Sequence, residues 1–355
     1  MSLAVPAFVL KKGCIFQSPA KDPSMQFQNL EFHNIADIRE AGWPPNTFQL
    51  QRVPEEVRLK LNEGAQGRSL CTANAEIRFV CDGPFKVHLR TPNGENRIRI
   101  AFGSFLWRDY PTSDCVLEVD RPENMANVDL NLIGENPFSS KVVRILLPND
   151  EVQFIRLTAD GLRPPTPEEV PGRRLLCCGT SITQGACATS PHLSYASLTA
   201  RELGFDMVNL GMSGSFHAEP ELADYVASRQ DWDVATIELS VNMVPCFKED
   251  EFRKRANYFI NTIAAAHPEK PVHCITLYPY FNDLCHQISK EDSMKTQNFR
   301  QILRDEVASS DHKNLHLIEG SDILQDPSGL TADMIHPSDF GMMHMARNLA
   351  ARLHT

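Results

Sequence analysis

Four short stretches carry the residue types that acyl chemistry needs. Gly179-Thr180-Ser181-Ile182-Thr183 sets a serine beside a glycine, where an apolar run gives way to a small polar turn. Asn209 to Ser215 contains Gly214, Ser240-Val241-Asn242-Met243 contains an asparagine amide, and Asp333-Met334-Ile335-His336 puts a carboxylate three residues before an imidazole. A serine hydroxyl is a weak nucleophile until a base takes its proton, and imidazole, with a pKa near about 6.5, suits that task. A carboxylate on the other ring nitrogen would orient the base, and Asp333 could provide it from the same short loop as His336. Charge developing on a carbonyl oxygen then needs donors already in place, which a tight glycine turn and an asparagine amide could supply. Singly, each stretch has a plainer reading. Gly-Thr-Ser and Asp-x-x-His are common helix caps, Asn242 could close a turn, and Gly214 could serve only to reach φ > 0.

All four stretches follow predicted strands. From about residue 173 onward, apolar strands (RLLCCG, FDMVNLGM, DVATIELS, PVHCITLYP, NLHLIEG) alternate with helical segments such as SYASLTAREL, EPELADYVAS, KEDEFRKRANYFINTIAAA, MKTQNFRQILRDEVASS and FGMMHMARNLAARL. Strict alternation of near-continuous apolar strands with helices predicts a parallel sheet covered on both faces. Ligands of such sheets bind at the carboxyl ends of the strands, where Ser181, Gly214, Asn242 and the Asp333–His336 loop would meet.

Residues from about 70 to 160 have a different rhythm. Short pieces such as AEIRFVC, FKVHLRT, RIRIAFG and KVVRILLP alternate apolar and polar residues between turn residues, which predicts an antiparallel sandwich of jelly-roll type. Between the two rhythms lies a stretch with four prolines and two glycines, from Ala159 to Gly172. The expected organisation is a β-sandwich over 1–160, a linker over 161–172 and an α/β domain over 173–355.

Composition narrows the function. A chain of 355 residues, 42% hydrophobic and 23% charged, has ordinary globular composition and the length of about two domains. The net charge of -10 leaves no basic surplus for phosphates, so nucleic acid is not an expected partner. The first segment, MSLAVPAFVLKKGCIF, lacks the pattern of a secretory signal, and no apolar stretch reaches about 18 residues, so no membrane association and a cytoplasmic location are expected. The 10 cysteines form no CxxC pair and read as free thiols, with no metal expected.

Together the four blocks resemble the SGNH hydrolases, the GDSL-like esterase and acylhydrolase superfamily. The resemblance implies a flavodoxin-like three-layer α/β/α domain and a cofactor-free serine esterase. Ser181 would be the nucleophile, His336 its base and Asp333 the partner of the base. The oxyanion would be held by the Ser181 and Gly214 N–H groups and the Asn242 amide. Two positions depart from the family pattern: Thr180 and Met243 stand where relatives commonly carry aspartate. A sandwich ahead of such a domain resembles family two carbohydrate esterases. That arrangement implies hydrolysis of short acyl esters, acetyl foremost, on a small acylated carbohydrate. Trp107, Phe216, Tyr278, Tyr280, Phe281 and His217 are then candidates for binding substrate. A thioesterase, a lysophospholipase and an inactive carbohydrate-binding protein are the alternatives, and a homo-oligomer is left open.

Overall fold

The computed structural model describes residues 25–134, 136–239 and 241–353. The first 24 residues of the expected sandwich, Cys14 among them, and Ser240 of the third block lie outside the described residues.

Eleven strands, all paired antiparallel, make the first layer pair: β1 (Met25–Phe27), β2 (Leu30–His33), β3 (Asp37–Glu40), β4 (Phe48–Gln51), β5 (Glu76–Phe79), β6 (Phe85–Arg90), β7 (Asn96–Phe102), β8 (Phe105–Thr112), β9 (Asp114–Val119), β10 (Val143–Leu146) and β11 (Gln153–Ala159). They form a six-stranded sheet, β1-β2-β5-β10-β7-β8, and a five-stranded sheet, β3-β4-β11-β6-β9. The period-2 pattern decides which side chains go inside. Along β6, Phe85, Val87 and Leu89 are buried while Lys86, His88 and Arg90 are not. Both inner faces share one core that includes Phe32, Phe79, Val87, Ile100 and Phe154.

Two features of the first part differ from the sequence reading. The short helices α1 (Glu55–Arg58) and α2 (Glu63–Arg68) leave the sandwich, and Val53, Leu61 and Ala65 join the core of the α/β domain instead. The proline-rich stretch is also held in place. Arg163 exchanges backbone hydrogen bonds with Val80, and its guanidinium grips Glu169 with both terminal nitrogens. Prolines deny the stretch a long helix or inner strand, but they do not prevent it from bridging to the residue that follows β5.

Five parallel strands follow: β12 (Arg174–Gly179), β13 (Asp206–Gly211), β14 (Val234–Glu238), β15 (Val272–Ile275) and β16 (Leu315–Ile318), in the order β13-β12-β14-β15-β16. The intervening helices are α3 (Ser181–Gln184), α4 (Tyr195–Glu202), α5 (Pro220–Ser228), α6 (Glu249–Ala266), α7 (Phe281–Leu284), α8 (Lys290–Ala308), α9 (Gly320–Ile323) and α10 (Asp339–Ala350). α5, α6 and α8 pack together over one face of the sheet, with Phe252, Phe259 and Phe299 in the core they cover. α4 and α10 cover the other face with Tyr195, Met342 and Met345, so the domain has three layers, α/β/α. Strand order reverses direction at β12, between β13 and β14, which is where such sheets open a crevice.

Buried polar groups join the two parts. Arg78 on β5 reaches both carboxylate oxygens of Asp206 on β13 at 2.7 and 2.8 Å, and His33 on β2 donates to the Met207 carbonyl at 2.6 Å. Among the described residues, no helix is long and apolar enough to cross a membrane.

Candidate active site

The nucleophile candidate owes its position to a turn that only a residue without a side chain can make. β12 ends at Gly179, where a Cβ would come within 2.3 Å of Thr183 Oγ1 and 2.9 Å of Glu238 Oε2. The chain turns there into α3, capped by Thr180 and ended by Gly185 in the left-handed region (φ 95°). Ser181 therefore stands at the first position of a one-turn helix at the strand end and is only 4% exposed.

Its hydroxyl donates to His336 Nε2 at 2.7 Å, and His336 Nδ1 donates to Asp333 Oδ2 at 2.7 Å. The loop that carries both residues is closed by its own backbone: Thr331 N–H bonds the His336 carbonyl at 2.8 Å. The Asp333 Oδ1 atom accepts from the Ile335 and His336 N–H groups at 2.8 and 2.9 Å and from the Thr331 hydroxyl at 2.9 Å. Partial burial pushes the Asp333 pKa up, but these donors outweigh it and hold the carboxyl well below the usual range. Asp333 is thus an anion that orients the ring, and Ser181, His336 and Asp333 form a continuous hydrogen-bonded chain.

Gly214 and Asn242 come from the ends of β13 and β14. Gly214 has φ 71°, and the turn before it is tied down by Ser213 N–H donating to Gln184 Oε1 at 2.8 Å. The Asn242 Oδ1 atom accepts from Phe216 N–H at 3.4 Å, which leaves the amide nitrogen as the free end of the side chain. Ser181, Gly214, Asn242 and His336 share one cavity of about 680 Å³. Its remaining wall mixes Val241, Val244, Pro245, Tyr280, Phe281, Ile288 and Ile335 with Arg68, Ser213, Asn282, Asp292 and Lys295.

The aromatic candidates divide. Tyr280 and Phe281 line the cavity, and the Tyr280 hydroxyl is held by Thr296 Oγ1 at 2.7 Å. Phe216 is fully buried against Phe259, and Tyr278 packs on Tyr195 in the core on the other face of the sheet, so neither reaches the cavity. Trp107 lies on the edge strand β8 of the sandwich, half-exposed under the Arg108 guanidinium and away from the cavity wall. The His217 ring meets Phe247 edge-on and is not part of the cavity wall, with burial lowering its pKa.

The sequence reading missed three contributors. Arg68 enters the cavity from α2 of the first part, with its Nε on the Ser213 carbonyl at 3.1 Å. Arg52 is fully buried and donates to the carbonyls of Cys71, Arg68, Asn209 and Gly211, which holds the strand end that leads to Gly214. Nothing local in the sequence marks either arginine. Glu238, 1% exposed at the end of β14, accepts from Thr180 N–H at 2.8 Å and from the Thr180 hydroxyl at 2.6 Å. A glutamate inside the apolar run DVATIELS was the signal for it.

A profile of the GDSL-like lipase/acylhydrolase family matches residues 172–354, just over half of the 355-residue chain. No curated protein matches the chain at a significant level. Among solved structures, a salicylyl-acyltransferase from a tetracycline biosynthetic pathway is 16% identical with a TM-score of 0.75, over 94% of this chain and 96% of that one. A GDSL-like lipase from Bacteroides ovatus is 19% identical with a TM-score of 0.62, over 84% and 89%. A family two carbohydrate esterase from Cellvibrio japonicus is 14% identical with a TM-score of 0.59, over 94% and 95%. At these identities the likeness is one of fold, and it extends through the sandwich as well as the α/β domain. The match over the α/β domain shows that the chain belongs to the GDSL-like lipase/acylhydrolase family, as a hydrolase acting on esters.

Proposed function

We propose that the chain is a serine esterase that removes short acyl groups, acetyl foremost, from a carbohydrate. The observation that carries the reading is the unbroken chain from Ser181 Oγ to His336 Nε2 and from His336 Nδ1 to Asp333, each link 2.7 Å. Ser181 Oγ attacks the ester carbonyl as His336 takes its proton. The oxyanion is met by the Ser181 and Gly214 N–H groups and the Asn242 amide nitrogen, and His336 returns the proton to the departing alcohol. Water then repeats the sequence on the acyl-enzyme and releases the acid.

The cavity favours a polar alcohol over a long chain. Arg68, Asn282, Asp292 and Lys295 stand in its wall as hydroxyl partners, beside the aromatic faces of Tyr280 and Phe281. The full-length fold likeness to a family two carbohydrate esterase supports a sugar as the alcohol. A second reading has a specific observation behind it. The likeness to a salicylyl-acyltransferase also runs the length of both chains, and in that reading a second hydroxyl replaces water in the deacylation step.

The test compares wild type with Ser181→Ala on p-nitrophenyl acetate, then on acetylated xylo-oligosaccharides, acyl-thioesters and longer p-nitrophenyl esters. Activity confined to the wild type and to short acyl esters is expected. Absence of activity in the wild type, or equal activity in both proteins, overturns the esterase. Ester formation when an alcohol acceptor is added selects the transferase.

A further inference from the structure

The turn that follows the serine brings a thiol up to the Asp333–His336 pair. After Gly185 the chain folds back, with Ala186 N–H on the Ser181 carbonyl at 2.9 Å. Cys187 then adopts φ 67°, uncommon for a residue with a Cβ, and its side chain is exposed. Its sulfur stands beside the Thr331 hydroxyl, which donates to Asp333. One ligand atom each from Cys187, Asp333 and His336 lies within 4.8 Å of the other two, and among the described residues no other three such side chains are grouped this closely.

We propose that Cys187, Asp333 and His336 form an inhibitory site for a borderline-soft divalent cation such as Zn2+. Thiolate, imidazole and carboxylate are the donors that zinc takes, at about 2.3, 2.0 and 2.1 Å, and in a tetrahedron these atoms stand about 3.4–3.6 Å apart. The Asp333–His336 contact of 2.7 Å must therefore open by about 0.7 Å, and the widest gap, within 4.8 Å, must close by about 1.3 Å at most. The Asp333 side chain is 43% exposed and Cys187 is on the surface, so the adjustment displaces solvent rather than packed core. Water fills the fourth position.

The chemical balance is simple. The Cys187 thiol gives its proton to solvent as the metal binds. The neutral His336 ring keeps its single proton, which moves from Nδ1 to Nε2 as the Nδ1 lone pair turns to the metal. Nε2 now carries hydrogen toward Ser181 Oγ, which it faces at 2.7 Å, and can no longer take the serine proton. The cavity stays open, so the loss falls on the maximal rate and leaves KM unchanged. The inhibition rests on the catalytic reading above; the binding of metal does not.

The test titrates ZnCl2 into wild type, Cys187→Ser and Cys187→Ala in thiol-free buffer during ester hydrolysis. Co2+ is titrated in parallel, and the thiolate-to-cobalt charge-transfer band is read. All three proteins keep the same rate without metal. Zinc lowers the wild-type maximal rate at a concentration more than about tenfold below that needed for either variant, and EDTA restores it. The cobalt band appears only in the wild type. Equal zinc sensitivity in the three proteins, no band in the wild type, or a band that persists in Cys187→Ser overturns the proposal. Should the wild type hydrolyse no ester, the catalytic reading fails, and the cobalt band still decides the metal site.

Discussion

The Thr180 hydroxyl donates to Glu238 Oε2 at 2.6 Å, one residue before Ser181, the proposed nucleophile. The same oxygen accepts Thr180 N–H at 2.8 Å, and Thr183 Oγ1 lies 3.5 Å from it. The resemblance to the SGNH hydrolases leads one to expect an aspartate at the position of Thr180. In this chain the carboxyl comes instead from the end of the neighbouring strand and grips the serine turn from below.

Glu238 is held by uncharged groups, with burial working against its charge and raising its pKa. Glu238→Gln keeps an oxygen for both Thr180 bonds, so kcat/KM stays within about threefold of wild type. Glu238→Ala loses both bonds, each worth about 1 kcal/mol, and lowers kcat/KM by about tenfold or more. Steady-state assays of the two variants check this, and a Gln variant as poor as Ala would show that a charged carboxylate is required.

Asp333→Asn tests the orientation of the base. Its amide oxygen can still accept the Ile335 and His336 N–H groups, but an amide NH2 then faces His336 Nδ1 and favours the tautomer with hydrogen on Nε2. The kcat falls by about 10³–10⁴-fold with little change in KM or in thermal unfolding. In the wild type, Asp333 is held far into the acid range, so it contributes no step to a rate profile above pH about 4.

The parts of this site that were legible in sequence are those that local chemistry dictates. Gly179, Ser181, Gly214 and Asn242 follow the ends of periodic strands, Asp333 and His336 stand in the loop just before the last helix, and the parallel sheet brings these loops to one end. The contributions from the first part were not legible. Arg52 and Arg68 act across a gap of more than 140 residues, through a pair of short helices that the strand rhythm around them hides. Tyr280 and Phe281 line the cavity, but two other aromatic candidates lie outside it for a related reason. Phe216 and Tyr278 stand close in sequence to site residues, but each packs into a layer core, and sequence distance from a strand end does not say which way a ring turns.

Arg52 spends its charge on four backbone carbonyls, two of them at the end of β13. Burial lowers its pKa, yet four of its five N–H groups are taken. Arg52→Met leaves those carbonyls unpaired in the interior, which costs on the order of 3 kcal/mol and lowers the urea midpoint. Because Asn209 and Gly211 precede the Gly214 turn, kcat falls more than KM rises. Unchanged kcat in a folded Met variant would limit Arg52 to a stabilising role.

The interface between the two parts loosens in acid, and two groups set the window. Burial first, and then the nearby Arg78, lower the His33 pKa from 6.5 to about 4. His33 thus stays neutral in the folded chain while an unfolded chain takes the proton, so its contribution is full above pH 6.5 and is lost as pH falls toward 4. Burial opposes the charge on Glu76, but Arg144 and Arg78 outweigh it and bring the pKa from 4.5 to about 2. Its contribution is full above pH 4.5 and is lost on the way down to 2. Both losses have the same sign, so Tm declines from about pH 6.5 and more steeply below about pH 4.5. His33→Gln, which can still donate to Met207, flattens the upper part of that decline. It does not remove it, because His192 is also lowered to about 4, chiefly by burial. Thermal melts of both proteins across pH 4 to 8 check this, and parallel curves would place the acid sensitivity elsewhere in the chain.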